Sequence, residues 1–207
     1  MEITWLGRNC FRIKGREGTV LMDPCPPESG YKIGKQPADV VTVSNHDIDG
    51  YNFSGAAEGA RRLDAPGEYE VGGILVTGVA AKRADGSRNM IFVCELDSLR
   101  VAHLGLLSSV PNAALLNELK DVDILLMPAG GGNALGGAQA AEVMKVIDPG
   151  IVIPMNYRTD AEAMPELETL ERFQRETGSK PEPEAKLTVS RSSLPTELTV
   201  RLLQPRP

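Results

Sequence analysis

Histidine is the scarcest chemically useful residue in this chain. Only His46 and His103 occur among 207 residues, and imidazole is the commonest ligand of catalytic zinc. Cysteine is nearly as sparse. Cys10, Cys25 and Cys94 are odd in number, far apart and in no Cys-x-x-Cys arrangement, which excludes a disulfide framework and a thiolate zinc site. They read as buried small hydrophobes in a reducing compartment, with no basic partner placed beside Cys10 or Cys25 to activate either thiol. No cluster of Lys or Arg appears, and the net charge is -6, which argues against a nucleic-acid or anionic-membrane surface. No run reaches the length of a membrane span, and the start, Met-Glu-Ile-Thr-Trp-Leu-Gly, has neither a basic nor an apolar leader region. No repeat or low-complexity segment is visible.

What is present is ordinary for a soluble, cytoplasmic globular protein: 42% hydrophobic and 24% charged residues, with 21 Gly and 15 Pro spread through the chain. The length suits one α/β domain over residues 1–207.

Short aliphatic and β-branched runs predict strands at Glu2 to Leu6, Cys10 to Lys14, Thr19 to Asp23 and Asp39 to Ser44. Ser54 to Leu63 is expected to be a short helix capped by Ser54. Further strands are expected at Tyr69 to Val71 and Ile74 to Gly78, then a hairpin of Met90 to Leu96 and Leu99 to Leu104 turning at Asp97-Ser98. Later come a helix over Asn112 to Lys120, a strand over Val122 to Met127, a helix over Ala138 to Ile147 and a strand over Ile151 to Pro154. A helix over Pro165 to Thr177 is closed by Gly178, and strands at Lys186 to Ser190 and Leu198 to Leu203 end the chain. Strands alternating with helices, together with antiparallel pieces, indicate a layered α/β fold with mixed sheets.

The stretch Val43 to Asn52 follows a strand and holds Asn45, His46, Asp47 and Asp49. Such a group can ligate a metal or move protons, and it can equally be a solvated Asx turn. The glycines Gly130, Gly131 and Gly132 match neither a P-loop nor a dinucleotide fingerprint and read as a strand-to-helix turn. His103 reads as a hydrogen-bonded structural histidine, and Trp5 and Tyr157 as core or cleft-wall residues.

Ordered landmarks along nearly the whole chain resemble the metallo-β-lactamase fold superfamily. They are Thr4-Trp5-Leu6-Gly7 with Cys10-Phe11, Leu21-Met22-Asp23-Pro24, Val43 to Asn52, Pro66-Gly67-Glu68-Tyr69, His103-Leu104-Gly105, Leu126-Met127-Pro128 and Val152 to Tyr157. The likeness is to its small bacterial branch of predicted zinc-dependent hydrolases, which includes ascorbate-6-phosphate lactonase-like enzymes. The resemblance implies an αββα sandwich of two mixed β-sheets flanked by helices, with a metal site at one edge that activates water.

Carried over position by position, the family's metal motifs are depleted here. The His-x-His-x-Asp-His loop falls on Asn45, Asp47, Asp49 and Gly50, so one aspartate remains in register. The middle-strand histidine would lie near Ala81 to Arg83, where there is none. The aspartate of the His-x-Gly-Asp turn is Leu106, the histidine of Pro-Met-His-Tyr is Asn156, and a histidine common after the first strand is Arg8.

The resemblance therefore implies a cleft of Arg8, Asp23, Asn45, Asp47, Asp49, Asn156 and Arg158, in which Arg8 neutralises carboxylates that lack a cation. No catalytic residue is assigned and no cofactor is expected. This reading is of a non-hydrolytic binding, assembly or regulatory module, with a small polar or anionic ligand as partner and self-association compatible with it. The alternative is a hydrolase with one divalent ion, zinc, manganese or magnesium, on His46, Asp47 and Asp49, carboxylates favouring the harder metals. A third reading is a sensor that binds a phosphorylated sugar or nucleotide through Arg8 and Arg158.

Overall fold

Trp5 opposes Phe11 in an antiparallel hairpin of β1 (Glu2–Gly7) and β2 (Cys10–Lys14), and this pair begins the first sheet. The computed structural model describes residues 1–45, 53–161 and 165–205. His46, Asp47 and Asp49 lie outside the described residues. The chain continues through β3 (Thr19–Met22), β4 (Val40–Thr42), β5 (Arg61–Leu63), β6 (Gly67–Val71), β7 (Ile74–Lys82), β8 (Arg88–Leu96) and β9 (Leu99–His103). Helix α1 (Ala113–Glu118), β10 (Ile124–Pro128), α2 (Gly137–Ile147), β11 (Ile151–Met155) and α3 (Glu171–Thr177) follow. Short strands β12 (Pro183–Glu184), β13 (Leu187–Thr188), β14 (Thr199–Val200) and β15 (Leu202–Leu203) close it.

Among the described residues β12 and β15 pair as a small two-stranded sheet, and the two large sheets have the orders β13-β1-β2-β3-β4-β5 and β14-β11-β10-β9-β8-β7-β6. Both large sheets are mixed. The first is antiparallel as far as β3 and parallel across β3, β4 and β5. The second is antiparallel from β6 to β9 and parallel across β9, β10, β11 and β14. Strands β4, β10 and β11 are buried throughout, which is why they read as continuous apolar runs rather than alternating ones. Trp5, Phe11 and Ile13 of the first sheet share one buried cluster with Phe92, Ile124 and Val152 of the second. This is the αββα sandwich that the landmarks imply. Among the described residues no helix is long and apolar enough to cross a membrane.

Two expected helices are corrected. Ser54 to Leu63 holds only a short 3₁₀ turn, Phe53–Gly55, and then β5. Gly55 and Gly59 weaken any helix there, and Arg61–Leu63 finds parallel partners in β4, with Val43 N–H donating to Leu63 O at 3.0 Å. The expected Pro165 to Thr177 helix begins only at Glu171. The residues before it bond to loops instead: Glu168 N–H donates to Gly130 O at 2.7 Å, and Glu168 O accepts from Arg158 N–H at 2.9 Å. Gly178 does close the helix, in the left-handed conformation. The last expected strand is split, because Thr199–Val200 pairs with β11 whereas Leu202–Leu203 pairs with β12.

A smaller apolar cluster lies outside the main core and joins Leu6, Cys10, Leu21, Cys25, Tyr31 and Leu106. Gly7 makes this packing feasible. Its φ is +117°, and a β-carbon there would lie 2.3 Å from the Tyr31 ring, so a side chain would displace the tyrosine.

Candidate functional site

Strand ends and tight turns gather the candidate residues. Arg8 occupies the turn between β1 and β2, Asp23 follows β3, Asn45 follows β4, and Asn156 follows β11. Arg8, Asp23 and Asn156 all have left-handed backbones, with φ of 47°, 43° and 51°. Such conformations cost a non-glycine residue free energy and tend to collect at functional sites. The carbonyl of Arg8 accepts from Trp5 Nε1–H at 2.9 Å and from the Asn156 backbone N–H at 3.2 Å. The Trp5 ring in turn packs against Tyr157, with centroids 5.1 Å apart, so the aromatic core fixes where Arg8 and Asn156 meet.

Asp23 is fully buried. Its Oδ1 accepts from Ser44 N–H at 2.6 Å and its Oδ2 from the Ser44 hydroxyl at 2.5 Å. His103 is also fully buried, and its Nε2–H donates to Asn9 O at 2.8 Å while Nδ1 accepts from Gly105 N–H at 3.2 Å. This pairing selects the Nε2–H tautomer. The Nδ1 lone pair is then committed to Gly105, so the 3.9 Å approach of Nδ1 to Asp23 Oδ2 is a contact without a shared proton. His103 is thus the structural histidine expected from its position.

Asn89 organises the turn that follows β9, and sequence reasoning missed it. Its Oδ1 accepts from Asn45 Nδ2 at 2.8 Å and Leu106 N–H at 2.8 Å, and its Nδ2 donates to Leu104 O at 3.0 Å. Gly105 at φ +58° lies so close that a β-carbon would sit 2.4 Å from Asn89 Oδ1. The only local hint is a lone amide beside the buried apolar run Met90 to Cys94. Ser44 was missed as well, because nothing near it in sequence announces Asp23 as its acceptor.

Near Arg8 several buried polar atoms have no hydrogen-bond partner among the described residues: Asn9 Oδ1 and Nδ2, and Asn156 Oδ1. Arg158 is exposed, with its backbone held by Glu168, so it stands at the surface rather than within the buried group. Among the described residues no group of three or more His, Cys, Asp or Glu is arranged to hold a metal ion.

All three cysteines are free and buried. One expectation about them is corrected, since Cys25 does have a basic neighbour. Its thiol is held below the ordinary range, chiefly by the Cys10 thiol, with the Ser29 hydroxyl and the charge of Arg8 adding to this against the effect of burial. Cys10 is pushed well up, first by burial and then by Cys25.

A profile described as the beta-lactamase superfamily domain matches residues 2–156. A UPF0173 protein of Pyrococcus furiosus is 30% identical over 189 residues, covering 80% of this chain and 88% of that protein. A UPF0173 metal-dependent hydrolase of Archaeoglobus fulgidus is 28% identical over 197 residues, covering 77% of this chain and 84% of that protein. Among solved structures, a predicted zinc-dependent hydrolase of the metallo-β-lactamase superfamily from Thermotoga maritima superposes with a TM-score of 0.78 at 30% identity, covering 98% of this chain and 99% of that one. The metallo hydrolase Igni18 from Ignicoccus hospitalis shares the fold alone, with a TM-score of 0.63 at 17% identity over 99% of this chain and 95% of that one. With three quarters of its length inside the matched domain and its described strands in the matching architecture, this chain belongs to the metallo-β-lactamase superfamily.

Proposed function

We propose that this protein is a non-hydrolytic member of the superfamily, a binding or regulatory module that keeps the scaffold and cleft of a hydrolase. The observation that carries the reading is Leu106. It stands where the resemblance places a metal-binding aspartate, and it is 1% exposed within the apolar cluster of Leu6, Cys10, Leu21, Cys25 and Tyr31.

Catalytic zinc is typically held by three protein donors and keeps an open position. The described residues do not fit that demand. Asp23 has both oxygens committed to Ser44, His103 has both ring nitrogens committed, and positions 45 and 156 carry neutral amides. The orphaned amide atoms of Asn9 and Asn156 support a site that meets a polar ligand, because each buried polar atom left unpaired costs roughly 1–3 kcal/mol.

Elemental analysis of protein purified without chelator tests this reading, and well under one zinc per chain is the expected result. A second reading is favoured by the names of the relatives, which are called metal-dependent hydrolases. In it His46, Asp47 and Asp49 hold one divalent ion. Stoichiometric zinc, manganese or magnesium, lost in Asp49→Ala, would establish the second reading and end the first.

A further inference from the structure

Arg83 follows β7 and is buried, its side chain only 2% exposed. Its Nη2 donates to Asn133 O at 2.8 Å, whereas Nε and Nη1 have no acceptor among the described residues. The carboxylate paired with it, Asp85 Oδ2, is 4.0 Å from Nη2 and 58% exposed, beyond hydrogen-bond reach. A buried guanidinium with one nitrogen bonded and two unpaired among the described residues is costly.

Arg83 lines a cavity of about 270 Å³ together with Ser108, Asn133 and Gln139. Ser108 Oγ accepts from Ala84 N–H at 2.8 Å, which leaves its own proton free to donate into the cavity. Gln139 belongs to the first turn of α2, and its Oε1 accepts from Gly136 N–H at 3.2 Å. The N-cap Gly136 offers no side chain to the first turn of α2, and the Glu168 carboxylate stands close by, its Oε2 4.0 Å from where a β-carbon on Gly136 would lie. A buried cation and a free hydroxyl donor thus face one small space. Its volume falls below the usual range for drug-sized ligands.

We infer that this cavity is a binding site for a small tetrahedral oxyanion of the phosphate class, held by Arg83 and Ser108 at the start of α2. The site shares no lining residue with Arg8, Asp23, Asn45 or Asn156, and the inference does not rest on the loss of hydrolysis proposed above. Asp85 also lines the cavity and opposes an anion. Its exposure leaves it screened by solvent, while the buried guanidinium is not.

Titration of the whole protein with inorganic phosphate, followed by calorimetry and by thermal unfolding, tests the site. The wild type should bind and unfold at a higher temperature. Arg83→Gln should weaken binding at least about tenfold, while Arg8→Gln leaves it unchanged. Gln139 is exposed, so Gln139→Glu should fold normally, keep the bond to Gly136, and weaken phosphate several-fold by placing a carboxylate at the mouth. If Arg83→Gln fails to fold, this second variant decides the matter. The inference is overturned if the wild type binds no phosphate, if Gln139→Glu binds as tightly as wild type, or if Arg8→Gln rather than Arg83→Gln abolishes binding. The last outcome would place the anion in the cleft and leave the reading of that cleft intact.

Discussion

The Arg8 carbonyl accepts the Asn156 backbone N–H at 3.2 Å, and both residues hold left-handed φ angles, 47° and 51°. Two chain reversals, one after β1 and one after β11, are therefore pinned to each other at the heart of the candidate site. Asparagine populates the left-handed region several-fold more often than other non-glycine residues, so the backbone of Asn156 sits there at less cost than an alanine would. Asn156→Ala should accordingly lower stability by about 1 kcal/mol in urea unfolding. Histidine is also enriched in this region of backbone space, so Asn156→His should cost less than alanine. That single restoration of the family's imidazole should still leave zinc well below one per chain, since the other donors remain absent.

The fate of Leu106 follows from its surroundings. The side chain lies in an apolar cluster with Cys10, Cys25 and Tyr31, and its backbone N–H is already satisfied by Asn89 Oδ1 at 2.8 Å. Leu106→Asp would place a carboxylate among hydrophobes. We expect a loss of about 3–5 kcal/mol, the range for an uncompensated buried charge, read from the urea midpoint at neutral pH. Should added zinc restore full stability to Leu106→Asp, the surroundings would be a metal site after all.

Asn89 should behave as the keystone of the turn after β9. Its amide serves Asn45, Leu104 and Leu106 at once, and it is fully buried. Asn89→Ala removes three hydrogen bonds and strands the Leu106 N–H out of water, whereas the Leu104 carbonyl keeps the Leu107 N–H at 3.1 Å, for a cost of about 2–3 kcal/mol. Amide exchange at Leu106 should quicken by far more than exchange in β10, because the turn opens locally before the sheet does.

The strands of this protein were largely legible, and the reason is physical. Runs such as Val40 to Thr42 and Ile124 to Pro128 are buried on both faces, so their character is written continuously in the chain. Arg61 to Leu63 was misread because its partner, β4, lies some twenty residues away, and local propensity carries no trace of that pairing. The candidate site rests on positions that the resemblance supplied: Arg8, Asp23, Asn45 and Asn156 follow β1, β3, β4 and β11 in turn. Asn89, Ser44 and Arg83 escaped because their roles arise from register between distant segments. His46, Asp47 and Asp49 belong to the sequence reading alone.

The two cysteines beside Arg8 provide a pH-dependent readout of the site's electrostatics. Thiolate rather than thiol reacts with alkylating agents, so a lower pKa means reaction at a lower pH. Cys25 is held below the ordinary thiol range, first by the Cys10 thiol and then by Ser29 and the charge of Arg8. Cys10 and Cys94 are both raised, in each case chiefly by burial. Cys25 also lines a cavity of about 340 Å³ with Tyr31, Ile33 and Gly55, which offers a small reagent a route in. Iodoacetamide should therefore modify Cys25 first as the pH is raised, then Cys10, with Cys94 protected until the protein unfolds, as read by mass spectrometry of the peptides. Cys10→Ala should move the Cys25 reaction to higher pH by removing its principal donor, and Arg8→Gln should move it the same way by a smaller amount. Equal midpoints for Cys10 and Cys25 in the wild type would overturn the thiol pairing, and a Cys25 midpoint unmoved in Arg8→Gln would show that the guanidinium does not act on it.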